Sequence, residues 1–139
     1  MKIVVAADED RPVVAHVARR FEAAGHAVTT LPVGPWGKVA LAVARAVATG
    51  EADAGVVCCW TGTGVTIAAN KVPGVRAALC ADAQTAAGAR KWNDANVLAL
   101  SLRTLSDPLA DEIVESWLTT SYSGTEAESL EDIRAAERR

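Results

Sequence analysis

The stretch Cys58-Cys59-Trp60-Thr61-Gly62-Thr63-Gly64 sets two thiols and an indole at the lip of a glycine loop. The apolar run Ala54–Cys59 stops at Thr61-Gly62-Thr63-Gly64, and the chain turns apolar again over Val65–Asn70. Between a strand and a helix, such a loop aims backbone N–H groups at one point, which suits a phosphate or a developing oxyanion. The same glycines, Gly62 and Gly64, serve equally for a tight strand-to-helix turn. The loop matches neither the G-x-x-x-x-G-K-[ST] nor the G-x-G-x-x-G pattern, and no acid follows it at ribose-binding distance. A nucleotide or flavin site is therefore the weaker reading.

Cys59 ends the apolar run at the mouth of the loop. A thiol close to a helix N-terminus is a candidate base or nucleophile, although most cysteines act as small buried hydrophobes. Cys58 points to the opposite face of the same strand and reads as packing, as does Cys80. Asp8 and Glu9, just past the first apolar run, are candidates for acid–base work or for holding sugar hydroxyls; Asp10 is the better placed to cap the helix that follows. Trp36, Trp60 and Trp92 all fall at the expected ligand edge, where indoles pack well against sugar faces. No cysteine or histidine spacing suggests a metal: Cys58 and Cys59 are adjacent, and His16 and His26 stand apart from them.

The elements that must position these groups alternate regularly. Strands are expected over Ile3–Ala7, His26–Leu31, Ala54–Cys59, Val75–Cys80 and Asn96–Ser101. Helices are expected from Asp10 and Pro12 to a stop at Gly25, over Val39–Thr49, Val65–Asn70 and Ala83–Lys91, from Asp107 and Pro108 to about Leu118, and over the last segment from Ser129 to the C-terminus, 129–139. Gly34-Pro35-Trp36-Gly37 reads as a loop, and Asp82 as a helix cap. Strands alternating with helices indicate an α/β fold with a parallel sheet, and the non-alternating apolar strands fit a sheet covered on both faces. In such sheets ligands lie beyond the carboxyl ends of the strands, which collects Asp8–Asp10, Pro35–Trp36, Cys59–Gly64, Asp82 and Arg103 at one edge.

Bulk properties narrow the function. The 139 residues are half hydrophobic but only 4% aromatic, with net charge -3 and no basic run. This speaks against nucleic acid and against an anionic membrane as partners. The opening MKIVVAADED reads as neither a leader nor a membrane span, and three cysteines, two adjacent, fit a reducing cytoplasm better than a disulfide framework. One domain over 1–139 is the simplest organisation.

The blocks GTGVTIAANKVPGVRAALC, ARKWNDANVLALSLR and IVESWL are similar to those of the type B ribose-5-phosphate isomerases and their galactose-6-phosphate isomerase relatives, and the similarity runs almost the whole length. That resemblance implies a Rossmann-like α/β/α sandwich with a five-stranded parallel sheet. It also implies a homodimer or homotetramer with active sites shared between subunits, and puts the segment at about 125–139 at the subunit interface. The activity implied is metal-free, cofactor-free aldose–ketose isomerisation of a sugar or sugar phosphate through an enediolate. Carried over by position, Cys59 becomes the base, since Val65 stands where another branch has a glutamate. Asp8 assists ring opening, and the loop Trp60, Thr61, Gly62, Thr63, Gly64 holds the enediolate oxygens. Asn93 lies near the substrate oxygens and Arg103 meets the phosphate.

The departures are informative. The family's phosphate-binding histidine after the first strand is Glu9 here, its ring-opening histidine is Trp92, and Trp36 stands for a tyrosine. Trp60 replaces a small loop residue, and Glu126 and Leu130 fall where relatives carry phosphate-gripping arginines; Arg134, Arg138 and Arg139 could substitute only if their helix shifts. Such losses are expected to favour a differently sized, less anionic or unphosphorylated sugar. A rival reading is a non-catalytic sugar-binding or regulatory homologue with a remodelled tryptophan-rich pocket.

Overall fold

The computed structural model describes residues 1–138; Arg139 lies outside the described residues. The elements follow as β1 (Lys2–Ala7), α1 (Pro12–Ala23), β2 (Ala27–Thr30), α2 (Trp36–Ala48), β3 (Ala54–Cys59), α3 (Thr63–Ala69), β4 (Ala77–Leu79), α4 (Ala83–Asn93), β5 (Val97–Ser101), α5 (Asp107–Thr119) and α6 (Ala127–Glu137). The five strands form one parallel sheet in the order β2-β1-β3-β5-β4. Residues of α1, α4 and α5 close one face around Ile3, Val5, Phe21, Leu98, Leu100, Ile113 and Trp117. Those of α2 and α3 close the other around Val43, Ala44, Val57, Val65 and Val97. The architecture is the Rossmann-like α/β/α sandwich that the resemblance implied, built on the parallel sheet that the alternation of strands and helices indicated.

β3 is the centre of this arrangement, buried along its whole length. Its pleat sends Val56 and Cys58 to the first layer and Val57 and Cys59 to the second, the two-residue alternation that a strand requires. Covering on both faces does not extend to the sheet edges: β2 is mostly exposed and β4 only half-buried. An edge strand borders one neighbour, so fewer helices reach over it. No helix among the described residues is long and apolar enough to cross a membrane.

Several boundaries differ from the sequence expectation for local reasons. α2 begins at Trp36 rather than Val39, because Pro35, with φ of -53°, caps the start and its carbonyl accepts from the Val39 N–H at 3.0 Å. The start of α1 is capped by neither Asp10 nor any other side chain; the N-cap position is Arg11, with Pro12 next. Asp82 does cap α4, accepting from the Thr85 N–H at 2.7 Å. α4 continues to Asn93 and ends at Asp94 in the left-handed conformation, φ 48°. α6 lies apart from both layers, burying only Leu130 and accepting from the Gly74 N–H through Glu137 at 3.1 Å.

α2 approaches β3 closely enough to constrain the sequence. A Cβ at Gly55 would lie 2.3 Å from Val43 Cγ1, so the helix rests on bare backbone. Gly55→Ala should cost about 1–3 kcal/mol by overpacking, read as an earlier urea midpoint. Adding Val43→Ala should recover part of that loss, and an unshifted midpoint in the single variant would contradict the packing.

Candidate active site

The site grows from three main-chain segments that stay hydrogen-bonded after their strands end. The Asp8 N–H donates to the Cys58 carbonyl at 3.2 Å, the Leu102 N–H to Cys59 at 2.9 Å, and the Arg103 N–H to Trp60 at 2.8 Å. Ser101 Oγ donates to the same Trp60 carbonyl at 3.0 Å. The ladder thus fixes where Asp8 and Cys59 emerge. Between them opens a cavity of about 270 Å³ lined by Asp8, Trp36, Cys59, Trp60, Thr61, Thr63 and Gly64.

Gly62 is needed twice over. Its φ of 75° is left-handed, and a Cβ there would lie 2.5 Å from Leu79 Cδ1 and 3.0 Å from the Leu100 carbonyl carbon. The resulting turn leaves the N–H groups of Thr61, Gly62, Thr63, Gly64 and Val65 without an acceptor among the described residues. The Thr61 and Thr63 hydroxyls bond each other at 2.7 Å instead of capping α3, while Thr66 Oγ1 donates to the Gly62 carbonyl at 2.6 Å. Oriented donors facing a small cavity can stabilise an oxyanion, as the loop composition suggested.

Cys59 is 5% exposed and lines the cavity, whereas Cys58 is fully buried behind the sheet. Burial first, then the neighbouring Cys59 and Asp8, pushes the Cys58 thiol up to about 12. Cys80, also buried, is pushed up to about 12 by burial and by Asp82, and its Sγ lies 3.6 Å from the Ala78 carbonyl. Both keep their protons and belong to the core. Asp8 has a buried Oδ1 with no hydrogen-bond partner. Burial, and secondarily the adjacent Glu9 charge, holds its carboxyl above the ordinary aspartate value, outweighing the opposing pull of its own backbone N–H. A carboxyl with a raised pKa at a cavity wall is suited to passing a proton back and forth. Val65, at the third position of α3, is fully buried and adds no acid–base group.

Two indoles wall the cavity. The Trp36 ring lies flat on Gly64, where an added Cβ would sit 2.9 Å from Cε3. Trp60 is 46% exposed and carries the Arg11 guanidinium 5.0 Å from its ring centroid. Arg11 Nε in turn donates to Glu9 Oε2 at 2.8 Å. Sequence reasoning missed Arg11, for which the one available signal was an arginine where a helix-capping residue is preferred.

Trp92 and Asn93 are not at this edge, contrary to the sequence expectation. They close α4, and a helix between parallel strands runs back to their amino ends. The following Asp94 and Asn96 accordingly bind Arg76, just before β4. Trp92 packs on Gly88, with Lys91 Nζ 5.7 Å over its ring, and borders a separate groove that includes Leu79, Gln84 and Asn93. Arg103 does stand at the lip, its side chain exposed and without a partner among the described residues. On α6, Arg134 and Arg138 both turn to Glu131, at 3.6 and 2.9 Å, and no α6 residue lines the Cys59 cavity. Glu126 is exposed at its start and Leu130 is buried. No group of three or more metal-ligating side chains occurs among the described residues.

This geometry coincides with a known family. The model of the ribose/galactose isomerases matches residues 3–133. The chain belongs to that family. It is 38% identical over 135 residues to ribose-5-phosphate isomerase B of Escherichia coli, covering 91% of this chain and 87% of that one. The structure of the type B ribose 5-phosphate isomerase of Trypanosoma brucei superposes with a TM-score of 0.92 at 41% identity, over 97% of each chain. That of ribose-5-phosphate isomerase B from Mycoplasma genitalium with bound ribulose-5-phosphate superposes with a TM-score of 0.94 at 31% identity, over 99% of this chain and 97% of the other.

Two outcomes follow from the geometry. Because the folded state raises the Asp8 pKa, that residue's contribution to stability is full below the ordinary value of 3.8 and is lost as pH climbs through the raised value. Asp8→Asn, which cannot ionise, should therefore melt above the wild type at pH 7, with the gap closing below pH 3.8; equal melting temperatures at pH 7 would refute the assignment. Gly62→Ala should lose at least about 2 kcal/mol from left-handed strain and the Leu79 and Leu100 clashes, seen as a lowered melting temperature.

Proposed function

We propose that this chain is an aldose–ketose isomerase acting on a sugar phosphate, with Cys59 as the base and the Trp60–Gly64 turn as the oxyanion site. The observation that carries the reading is that a thiol, a carboxyl with a raised pKa and the residues Thr61, Thr63 and Gly64, whose N–H groups are unpaired among the described residues, line one small cavity. Asp8 takes the proton of the anomeric hydroxyl and delivers it to the ring oxygen as the bond from that oxygen to the anomeric carbon breaks and the sugar opens. The Cys59 thiolate then removes the proton from the carbon beside the aldehyde. The charge moves onto the carbonyl oxygen, where the N–H groups of the loop and the Thr61 hydroxyl meet it. The hydroxyl proton of the second carbon passes to that oxygen, the carbonyl re-forms at the second carbon, and the Cys59 thiol returns its proton to the first carbon, which completes the ketose. The only bonds exchanged in that step are C–H and O–H, so no cofactor is required.

The same reading takes the protein as a cytoplasmic homodimer or homotetramer formed by one domain, with α6 at the subunit interface. Trp92 and Asn93, too far round the sheet to join their own Cys59, would complete the site of a second copy. The indole at position 92 cannot exchange protons as a histidine does, which leaves ring opening to Asp8 and to the spontaneous opening of the sugar.

A panel of aldose and ketose phosphates with their free sugars, followed by proton NMR in deuterated water, tests the proposal. Wild-type protein should exchange the carbon-bound proton of at least one sugar phosphate, and Cys59→Ala should lower that exchange by roughly three orders of magnitude or more, the range of an essential acid–base group. Exchange that survives Cys59→Ala would remove the thiol from the mechanism, and exchange with none of the panel would leave a binding protein in place of an enzyme.

A further inference from the structure

Arg11 breaks two local rules. Helices prefer Ser, Thr, Asp or Asn at the N-cap, and favour negative charge there because the macrodipole is positive at that end. α1 instead presents a guanidinium with no side-chain cap bond, although Asp10 stands one residue earlier and is unused. The side chain is nevertheless positioned. Its Nε is held by Glu9 at 2.8 Å, its plane lies over Trp60 at 5.0 Å, and its two terminal nitrogens have no partner among the described residues. Trp60 is a wall of the Cys59 cavity, and its carbonyl is bonded by the Arg103 N–H, so a second arginine leaves the chain beside the same residue. An oriented guanidinium with free terminal N–H groups matches two oxygens of a phosphate, and arginine forms such bidentate contacts more readily than lysine.

We infer that Arg11 is a substrate-binding residue that grips the phosphate of the sugar phosphate beside the Cys59 cavity, with Glu9 and Trp60 holding it in position. This rests on the isomerase reading above and deepens it. The carboxylate at Glu9, which by itself would repel a dianion, becomes the anchor that sets the orientation of Arg11. A bound phosphate also supplies the negative charge that the start of α1 lacks. The loss of basic residues along this sequence thus leaves a phosphorylated substrate in place, carried by an arginine from a different position.

The test uses the full chain with ribose 5-phosphate, inorganic phosphate and, as an uncharged comparison, ribitol. Arg11→Ala should raise KM for ribose 5-phosphate and weaken inorganic phosphate by roughly 10- to 100-fold, with kcat changed by less than about threefold and ribitol binding unmoved. Arg11→Lys should recover part of the affinity, and Glu9→Ala, which frees the guanidinium from its anchor, should weaken phosphate binding; an unchanged or tighter phosphate affinity in Glu9→Ala would remove Glu9 from the positioning role. Equal weakening of ribitol and ribose 5-phosphate, or a fall in kcat at unchanged KM, would show that Arg11 only braces Trp60 and would overturn the inference. A wild-type protein that binds neither phosphate compound would overturn it too. Phosphate binding that depends on Arg11 but is accompanied by no turnover of any sugar phosphate would uphold the anion site and reject the isomerase reading.

Discussion

The hydrogen-bond ladder of β3 governs everything described above. A strand buried on both faces must pair every N–H and C=O with its neighbours, because no water reaches it. Here the pairing with β1 and β5 does not stop where the strands do: Asp8, Leu102 and Arg103 continue it onto the carbonyls of Cys58, Cys59 and Trp60. The chain therefore leaves the sheet along a fixed path. Cys59, Asp8 and the turn after Trp60 inherit their relative positions from main-chain bonds, with side chains adding little to the alignment. Such a site tolerates replacement of its walls, of which the indoles at positions 36 and 60 are two.

How much of this was legible in the sequence depended on whether the deciding force was local. β3 was readable to the residue, since a run of small apolar and β-branched residues that starts after Asp53 and stops short of the Thr61–Gly64 loop has few alternatives. The Asp82 cap was readable for the same reason. The start of α2 was not: Gly34-Pro35-Trp36-Gly37 has loop composition, and the Trp36 ring packing on Gly64 of α3 favours a helix there from outside the segment. The edge expected for Trp92 was wrong for a topological reason, because a residue late in a connecting helix has already travelled back to the far edge of the sheet. Arg11 was invisible in a stronger sense. Its importance lies in partners, Glu9 and Trp60, of which one is distant in sequence and neither forms a motif with it.

Several places where local preferences are overruled lie at or beside the cavity. Gly62 adopts a left-handed turn, Asp8 buries a carboxylate oxygen without a partner, α1 begins on an arginine, and two tryptophans stay about half exposed. Elsewhere, Asp94 in its left-handed turn and the buried Tyr122 hydroxyl excepted, the chain keeps closer to the rules: its buried residues are apolar, its helices are Ala- and Val-rich where they meet the sheet, and the central strands are covered on both sides. Departures concentrated in one region of an otherwise consistent fold are what a working site produces, since groups arranged for a substrate are not arranged for each other.

The placement of the three thiols has a consequence for oxidation. Cys58 and Cys59 are neighbours in sequence, yet the pleat turns their sulfurs to opposite layers, so they cannot close a bridge while β3 is intact. Cys80 is also buried, in the layer that holds Cys58. A sulfenic acid formed at Cys59 would thus find no resolving thiol of its own chain within reach, and an electrophile entering the cavity meets one sulfur only. The native fold presents a single thiol to the cavity, and the other two report on the integrity of the sheet.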